Sequence, residues 1–242
     1  AVFYQKKEKQ AEPISATAFK LNTIVTVTIY DSKNQKLADE AVALCDKYEK
    51  MFSRTMESSE LYQLNHGTLP KEGNAFVLSE ETAKLIQKGL EYGKVSDGAF
   101  DIAIEPVSSL WDFTSGKKDI PSQEDISKAL PLVNYKDVQL DGNLLTFAKE
   151  GMGLDLGAIA KGYIADRIKD YLLEQGVKSA TINLGGNVLC VGEKPEGTPF
   201  KIGIQKPFAD RSETIAVMNI SDKSVVSSGI YERYFEKDGK IY

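Results

Sequence analysis

Apolar and polar positions alternate through Ile24-Val25-Thr26-Val27-Thr28-Ile29-Tyr30 and stop at Asp31-Ser32, the pattern of a half-buried strand. The period then changes. Leu37, Ala41, Leu44, Cys45, Tyr48 and Phe52 recur at spacings of three and four and predict a helix over 36–52 with one buried stripe. Ser79, followed by Glu80 and Glu81, reads as the N-cap of a second helix that buries Ala83, Ile86 and Leu90. Ser122, with acids at 124 and 125, opens a short helix that stops at Pro131. Val138 and Leu140, the pair Asp141-Gly142, and Leu144 to Phe147 predict a hairpin. A long helix over 157–175 presents Ile164, Ile168, Tyr171 and Leu172 on one face and ends at Gly176, a left-handed cap. Strands follow over 179–184, 188–192, 200–204 and 214–220. Hairpins mixed with helices imply an α+β fold, not a doubly wound parallel sheet. There is no internal repeat and no low-complexity segment.

Composition narrows the functions. The 242 residues are 42% hydrophobic and 27% charged, which is globular. Thirty basic and 35 acidic residues leave a net charge of −5 and a pI near 5.2, so there is no basic field to hold nucleic acid. No run approaches the roughly 18 apolar residues of a membrane span. A single histidine, His66, excludes a His-rich metal cluster. The two cysteines, Cys45 and Cys190, lie in helix-like and strand-like patterns and read as small core hydrophobes. Their scarcity fits an exported protein and a cytoplasmic one equally. Residues 1–13 are polar after the first few, carry Lys6, Lys7 and Lys9, and end in Pro13; they read as a flexible leader before a domain over 14–242.

The chemistry concentrates in Gly153-Leu154-Asp155-Leu156-Gly157-Ala158-Ile159-Ala160-Lys161. An apolar strand is predicted to end at Asp155, turn at Gly157 and enter a helix with Lys161 one turn in. A helix N-terminus attracts anions through unpaired N–H groups and the dipole. Side chains lean toward that terminus, so the Lys161 ammonium can lie beside a phosphate there. Asp155 can accept from a ligand hydroxyl or ring N–H. An ordinary strand-turn-helix with a solvated lysine stays open on these residues alone. Neither a Walker loop nor a G-x-G-x-x-G is present. Three further clusters have turn composition: Ser53-Arg54-Thr55 with Ser58-Ser59-Glu60, Ser96 to Asp101 leading to Glu105-Pro106 and Trp111, and Asn183-Leu184-Gly185-Gly186-Asn187. Taken singly, each reads as a turn. Asn65 and His66 read as capping or surface residues, and Trp111 as core.

In this order the clusters resemble the ApbE-type FAD:protein FMN transferases over about residues 19–242. The resemblance is carried by S-R-T-M-E-S-S-E-L-Y-Q-L-N, D-G-A-F-D-I-A-I-E-P with L-W-D-F, L-D-L-G-A-I-A-K-G-Y-I-A-D, I-N-L-G-G-N-V, and S-S-G-I-Y-E-R-Y with D-G-K-I-Y. It implies a bilobed, T-fold-related architecture of antiparallel or mixed sheets with packed helices, and FAD bound in a cleft between the lobes. On matching positions it implies FAD contacts at Leu21, Thr55, Ala99, Phe100, Asp101, Asp155 and Lys161, with Asp155 and Lys161 as the catalytic candidates. It implies Mg²⁺ held through the backbone carbonyl of Ala158. The implied reaction moves FMN from FAD to a threonine hydroxyl of an acceptor protein and releases AMP. An Mg²⁺-dependent FAD pyrophosphatase and a non-catalytic FAD-binding module are the alternatives. An extracytoplasmic location is implied, with membrane attachment only through a lipid anchor that has been removed. Chains of the family continue past D-G-K-x-Y to a late Asp and Thr that complete the metal site, and this chain stops at Tyr242. The expectation is therefore FAD contacts with weak metal binding, little transfer by this polypeptide alone, and an unpaired sheet edge.

Overall fold

The computed structural model describes residues 12–111, 113, 118–209, 213–228 and 234–242. The leader reading over 1–13 falls almost wholly outside them; Glu12 and Pro13 are exposed and irregular. The chain divides into two compact units, 1–46 with 164–228, and 47–163 with 229–242. The helices Gln35–Phe52 and Gly157–Glu174 each begin in one unit and end in the other. No helix among the described residues is long and apolar enough to cross a membrane.

The first unit is built on an antiparallel five-stranded sheet in the order Ile14–Lys20, Thr23–Ile29, Ser179–Leu184, Asn187–Gly192, Ser224–Val226. Its register explains its core. Val25 pairs with Leu184, Val27 with Ile182 and Ile29 with Ala180, so all six point to one face, and all are buried. Leu37, Ala38, Ala41, Val42 and Cys45 from one helix, and Ile164, Ala165, Ile168 and Leu172 from the other, complete the buried set of this unit. Each such aliphatic side chain contributes about 1.5–3 kcal/mol on burial. Leu44, expected on the stripe, is only half-buried, because the buried face centres on Ala38, Ala41 and Cys45. Gly176 takes φ +82 and closes the second helix: its N–H donates to Leu173 O and the Val177 N–H to Leu172 O.

The sheet's other face is polar along its first strands, where the Ser15 and Thr28 hydroxyls bond at 2.8 Å and those of Thr17 and Thr26 at 3.0 Å. Further along it carries a small second core of Cys190, Phe200 and Ile220, with Tyr30, Val188, Ile202 and Val225 packed on it. Phe200 and Ile220 come from the hairpin Phe200–Gln205 and Thr214–Ile220. Burial holds the Cys190 thiol up at about 11, and Cys45 is equally enclosed, so both are inert core side chains.

The strand Ile14–Lys20 follows directly on Pro13 and forms a hairpin with Thr23–Ile29 that the sequence pattern did not announce. Its two-residue loop, Leu21-Asn22, has φ 53 and 55, the left-handed pair that matches strand twist. The neighbouring hairpin turns through Gly185-Gly186, also left-handed, and the Gly186 N–H donates to Asn183 Oδ1 at 2.9 Å. These two turns adjoin: a Cβ on Gly185 would stand 2.2 Å from Thr23 Oγ1.

The second unit combines the helices Glu60–Asn65, Glu80–Val95, Glu105–Ser108 and Gln123–Ala129 with a four-stranded antiparallel sheet. The sheet order is Lys71–Glu72, Ala75–Val77, Leu144–Phe147, Val138–Asp141. Ser59, Ser79 and Ser122 each cap a helix by accepting the N–H three residues on. The Glu60 carboxylate also accepts from the Ser79 hydroxyl and the Thr82 hydroxyl, so one helix start fastens the next. Aromatic edges of Tyr48 and Phe52 pack on Tyr163.

Candidate functional site

The stretch 152–156 has no regular secondary structure and joins no sheet, contrary to the strand expected before Asp155. Its backbone finds other partners. The Asn65 side chain clamps Leu154 from both sides, its Nδ2 donating to Leu154 O at 2.9 Å and its Oδ1 accepting from Leu154 N at 2.8 Å. The Asp155 N–H donates to Ile102 O at 2.8 Å. An amide side chain thus does the work of a neighbouring strand, which satisfies the buried backbone of an apolar segment outside any ladder.

Leu154 and Leu156 are fully buried and alternate with Asp155, whose side chain is therefore turned the other way. Its carboxylate is well held. Oδ1 accepts from the Gly157 N–H at 2.9 Å, at the start of the helix; Oδ2 accepts from Ser108 Oγ at 2.9 Å and lies 3.4 Å from Arg54 Nε. Helix pairing begins at Leu156, whose carbonyl accepts from Ile159 and Ala160. Gly157 and Ala158 are exposed in the first turn, and Lys161 stands half-buried one turn on. The result is a helix start with a fixed carboxylate and a guanidinium beside it, and exposed small residues that let a ligand approach the backbone.

Only some of the residues expected from the sequence are tied to this corner by contacts. Arg54 reaches Asp155, so the adjacent Thr55, exposed in its loop, is brought beside it; Ser53 Oγ accepts from the N–H of both Thr55 and Met56. Ala99 is exposed and Phe100 half-buried, its ring set edge-on to Tyr92. Asp101 has a structural duty as well as its expected ligand role: Oδ1 accepts from Ala103 N at 2.7 Å and Oδ2 from Tyr135 N at 2.8 Å. Since Ile102 follows and holds Asp155 N, Asp101 ties this loop to the corner. Leu21 belongs to the other unit, in the turn beside Gly185. Trp111, expected in the core, is half-buried instead. With Ser108, Phe113 and Tyr242 it lines an open pocket of about 250 Å³, its ring 6.0 Å from that of Phe113. His66 caps the helix Glu60–Asn65, as expected, and its ring stacks on Tyr62.

The sequence reading did not assign Asn65, Arg54, Ser108 or Glu105 to the site. Asn65 looked like a C-cap because it follows Leu64 at a helix end, and nothing local shows that its partner lies 89 residues away. Replacing Asn65 with alanine is expected to lower stability by about 1–3 kcal/mol, since it strands the buried N–H and C=O of Leu154. Urea unfolding measures this; a loss below about 0.5 kcal/mol would show that the clamp is dispensable.

The described residues do not by themselves make a magnesium site. No group of three or more His, Cys, Asp or Glu side chains among them is placed to hold a metal. Ala158 offers only a main-chain carbonyl, and that carbonyl lies within a helix.

A fold with this corner defines a class. Residues 21–242 match the sequence model of the ApbE family, and the chain belongs to that family. Among its relatives, an FAD:protein FMN transferase of Klebsiella pneumoniae is 38% identical over 228 residues, which are 93% of this chain and 69% of that protein. The crystal structure of the ApbE protein of Thermotoga maritima superposes with a TM-score of 0.85 at 32% identity, covering 96% of this chain and 75% of that one. The apo flavinyl transferase ApbE of Pseudomonas stutzeri matches with a TM-score of 0.78 at 29% identity, over 97% of this chain and 73% of that one. The α+β architecture is that of these proteins.

Proposed function

We propose that this chain is the FAD-binding part of an FMN transferase, which moves FMN from FAD onto a threonine hydroxyl of an acceptor protein. The bond that breaks joins the FMN-side phosphorus to the oxygen of AMP. The bond that forms joins that phosphorus to the threonine oxygen, whose proton is lost as AMP departs. The carrying observation is the 153–161 corner: a helix start and the cations Arg54 and Lys161 suit a diphosphate, and the fixed Asp155 carboxylate suits a ligand hydroxyl or N–H. Arg54 offers charge that needs no proton management. Lys161, one turn into the helix, would supply a second cation for charge that develops on the AMP oxygen as the bond breaks. Dependence on Mg²⁺ and an extracytoplasmic, lipid-anchored setting belong to the same reading.

The test is to incubate the chain with FAD, Mg²⁺ and a candidate acceptor, denature, and look for flavin fluorescence on the acceptor band. Fluorescence that stays with the acceptor supports transfer. Free FMN and AMP formed without acceptor replace it with hydrolysis. FAD binding that Mg²⁺ leaves unchanged, with no product, replaces it with a non-catalytic binding module.

A further inference from the structure

A second carboxylate lies behind the corner. Glu105 opens the short helix Glu105–Ser108, and its side chain packs over Gly153, two residues before Asp155. A Cβ on Gly153 would stand 2.5 Å from Glu105 Oε2 and 3.2 Å from Asn65 Oδ1, so the carboxylate fills the room that glycine leaves. The groups that face it come from each element packed around it. Arg54 comes from the loop after the helix Gln35–Phe52, Asp155 from the corner, His66 from the end of the helix Glu60–Asn65, and the Ser109 hydroxyl from its own helix end. Ser108, at the other end of the same short helix, donates its hydroxyl to Asp155 Oδ2 at 2.9 Å, which brings the helix that carries Glu105 against Asp155. Asp155 is the one in ion-pair contact with Arg54, and Glu105 lies within reach of the same charge.

We propose that Glu105 is a positioning residue that sets the charge of the Asp155 corner: with its proton on it leaves Arg54 to Asp155, and with its proton off it competes for Arg54 and adds a second negative charge behind the diphosphate-binding backbone. The inference rests on reading the corner as a diphosphate site. Burial pushes the Glu105 carboxyl above the usual carboxylate range, Arg54 opposes that, and Asp155 adds to it. The sign follows. The native state holds this proton more tightly than the unfolded chain. The resulting stability is fully present below the ordinary glutamate value and is lost as pH rises through the raised one. Affinity for an anionic flavin nucleotide falls over the same rise.

The experiment compares wild type with Glu105→Gln, which keeps the shape and the neutral charge, by FAD titration between about pH 5 and about pH 8. Wild-type affinity is expected to fall about fivefold more than that of the variant over this range. A variant that follows the wild-type pH profile overturns the proposal, whereas a merely space-filling Glu105 predicts that result. Urea unfolding over the same range is the second readout: wild type should lose stability relative to Glu105→Gln as pH rises, and parallel curves overturn the charge role. Wild type that binds no FAD at any pH overturns the diphosphate reading, and the stability curves then decide the charge role by themselves.

Discussion

Asp155→Ala is expected to lower the rate of covalent flavin transfer by about 100-fold or more. The carboxylate does three things at once: it accepts from the first N–H of the helix, receives the Ser108 hydroxyl, and pairs with Arg54. Alanine leaves a guanidinium and a hydroxyl, both partly buried, without that acceptor and frees the start of the helix to fray. The expected cost in stability is about 1–2 kcal/mol, mostly the lost cap. Asp155→Asn separates the roles. An amide oxygen still accepts at the helix start, so the variant should unfold within about 0.5 kcal/mol of wild type while the charge beside Arg54 is gone. Fluorescence of denatured acceptor gives the rate, and urea unfolding gives the stability. Wild-type transfer by Asp155→Ala would remove this residue from the chemistry.

Gly185→Ala is expected to cost about 2–5 kcal/mol. The residue sits at φ +64, where an L side chain costs about 1–2 kcal/mol. The new methyl would also meet Thr23 at 2.2 Å from Oγ1, 2.7 Å from Cγ2 and 2.8 Å from Cβ. Overpacking of that kind costs about 1–3 kcal/mol more. Thr23 is β-branched and starts a central strand, so it cannot swing aside as a long side chain would. The double variant with Thr23→Ala should recover part of the loss, because the two nearest contacts disappear, and a double-mutant cycle should show coupling between the sites. Gly185→Ala within about 0.5 kcal/mol of wild type by urea unfolding would mean the two turns do not lean on each other.

Much of this molecule is legible along the chain. Where a residue's partners lie within a few positions, the pattern and the structure agree: Ser79 and Ser122 cap their helices, Gly176 ends its helix, and the strand expected over 214–220 is present as Thr214–Ile220. The candidate corner was also visible, because Gly157 and Lys161 are one helical turn apart and Asp155 precedes them. The residues that hold the corner were not visible. Asn65 resembles any helix-end asparagine, Ser108 any helix serine, and Glu105 carries no local signature at all. Each takes its meaning from a distant segment: Ser108 bonds Asp155, 47 residues on, Asn65 bonds Leu154, 89 residues on, and Glu105 packs on Gly153. The strand expected before Asp155 failed for the same reason: an apolar run looks alike whether its backbone is satisfied by a ladder or by one amide side chain.

The sequence alone determined most of the elements, the α+β class and the place of the candidate corner, since periodicity, capping and glycine positions act over a few residues and need no folded context. The tertiary structure decided which side chains fasten that corner and set its charge. Hydrogen-bond partners, burial and electrostatic neighbours come into being only when distant segments pack, and a one-dimensional pattern holds no record of that meeting.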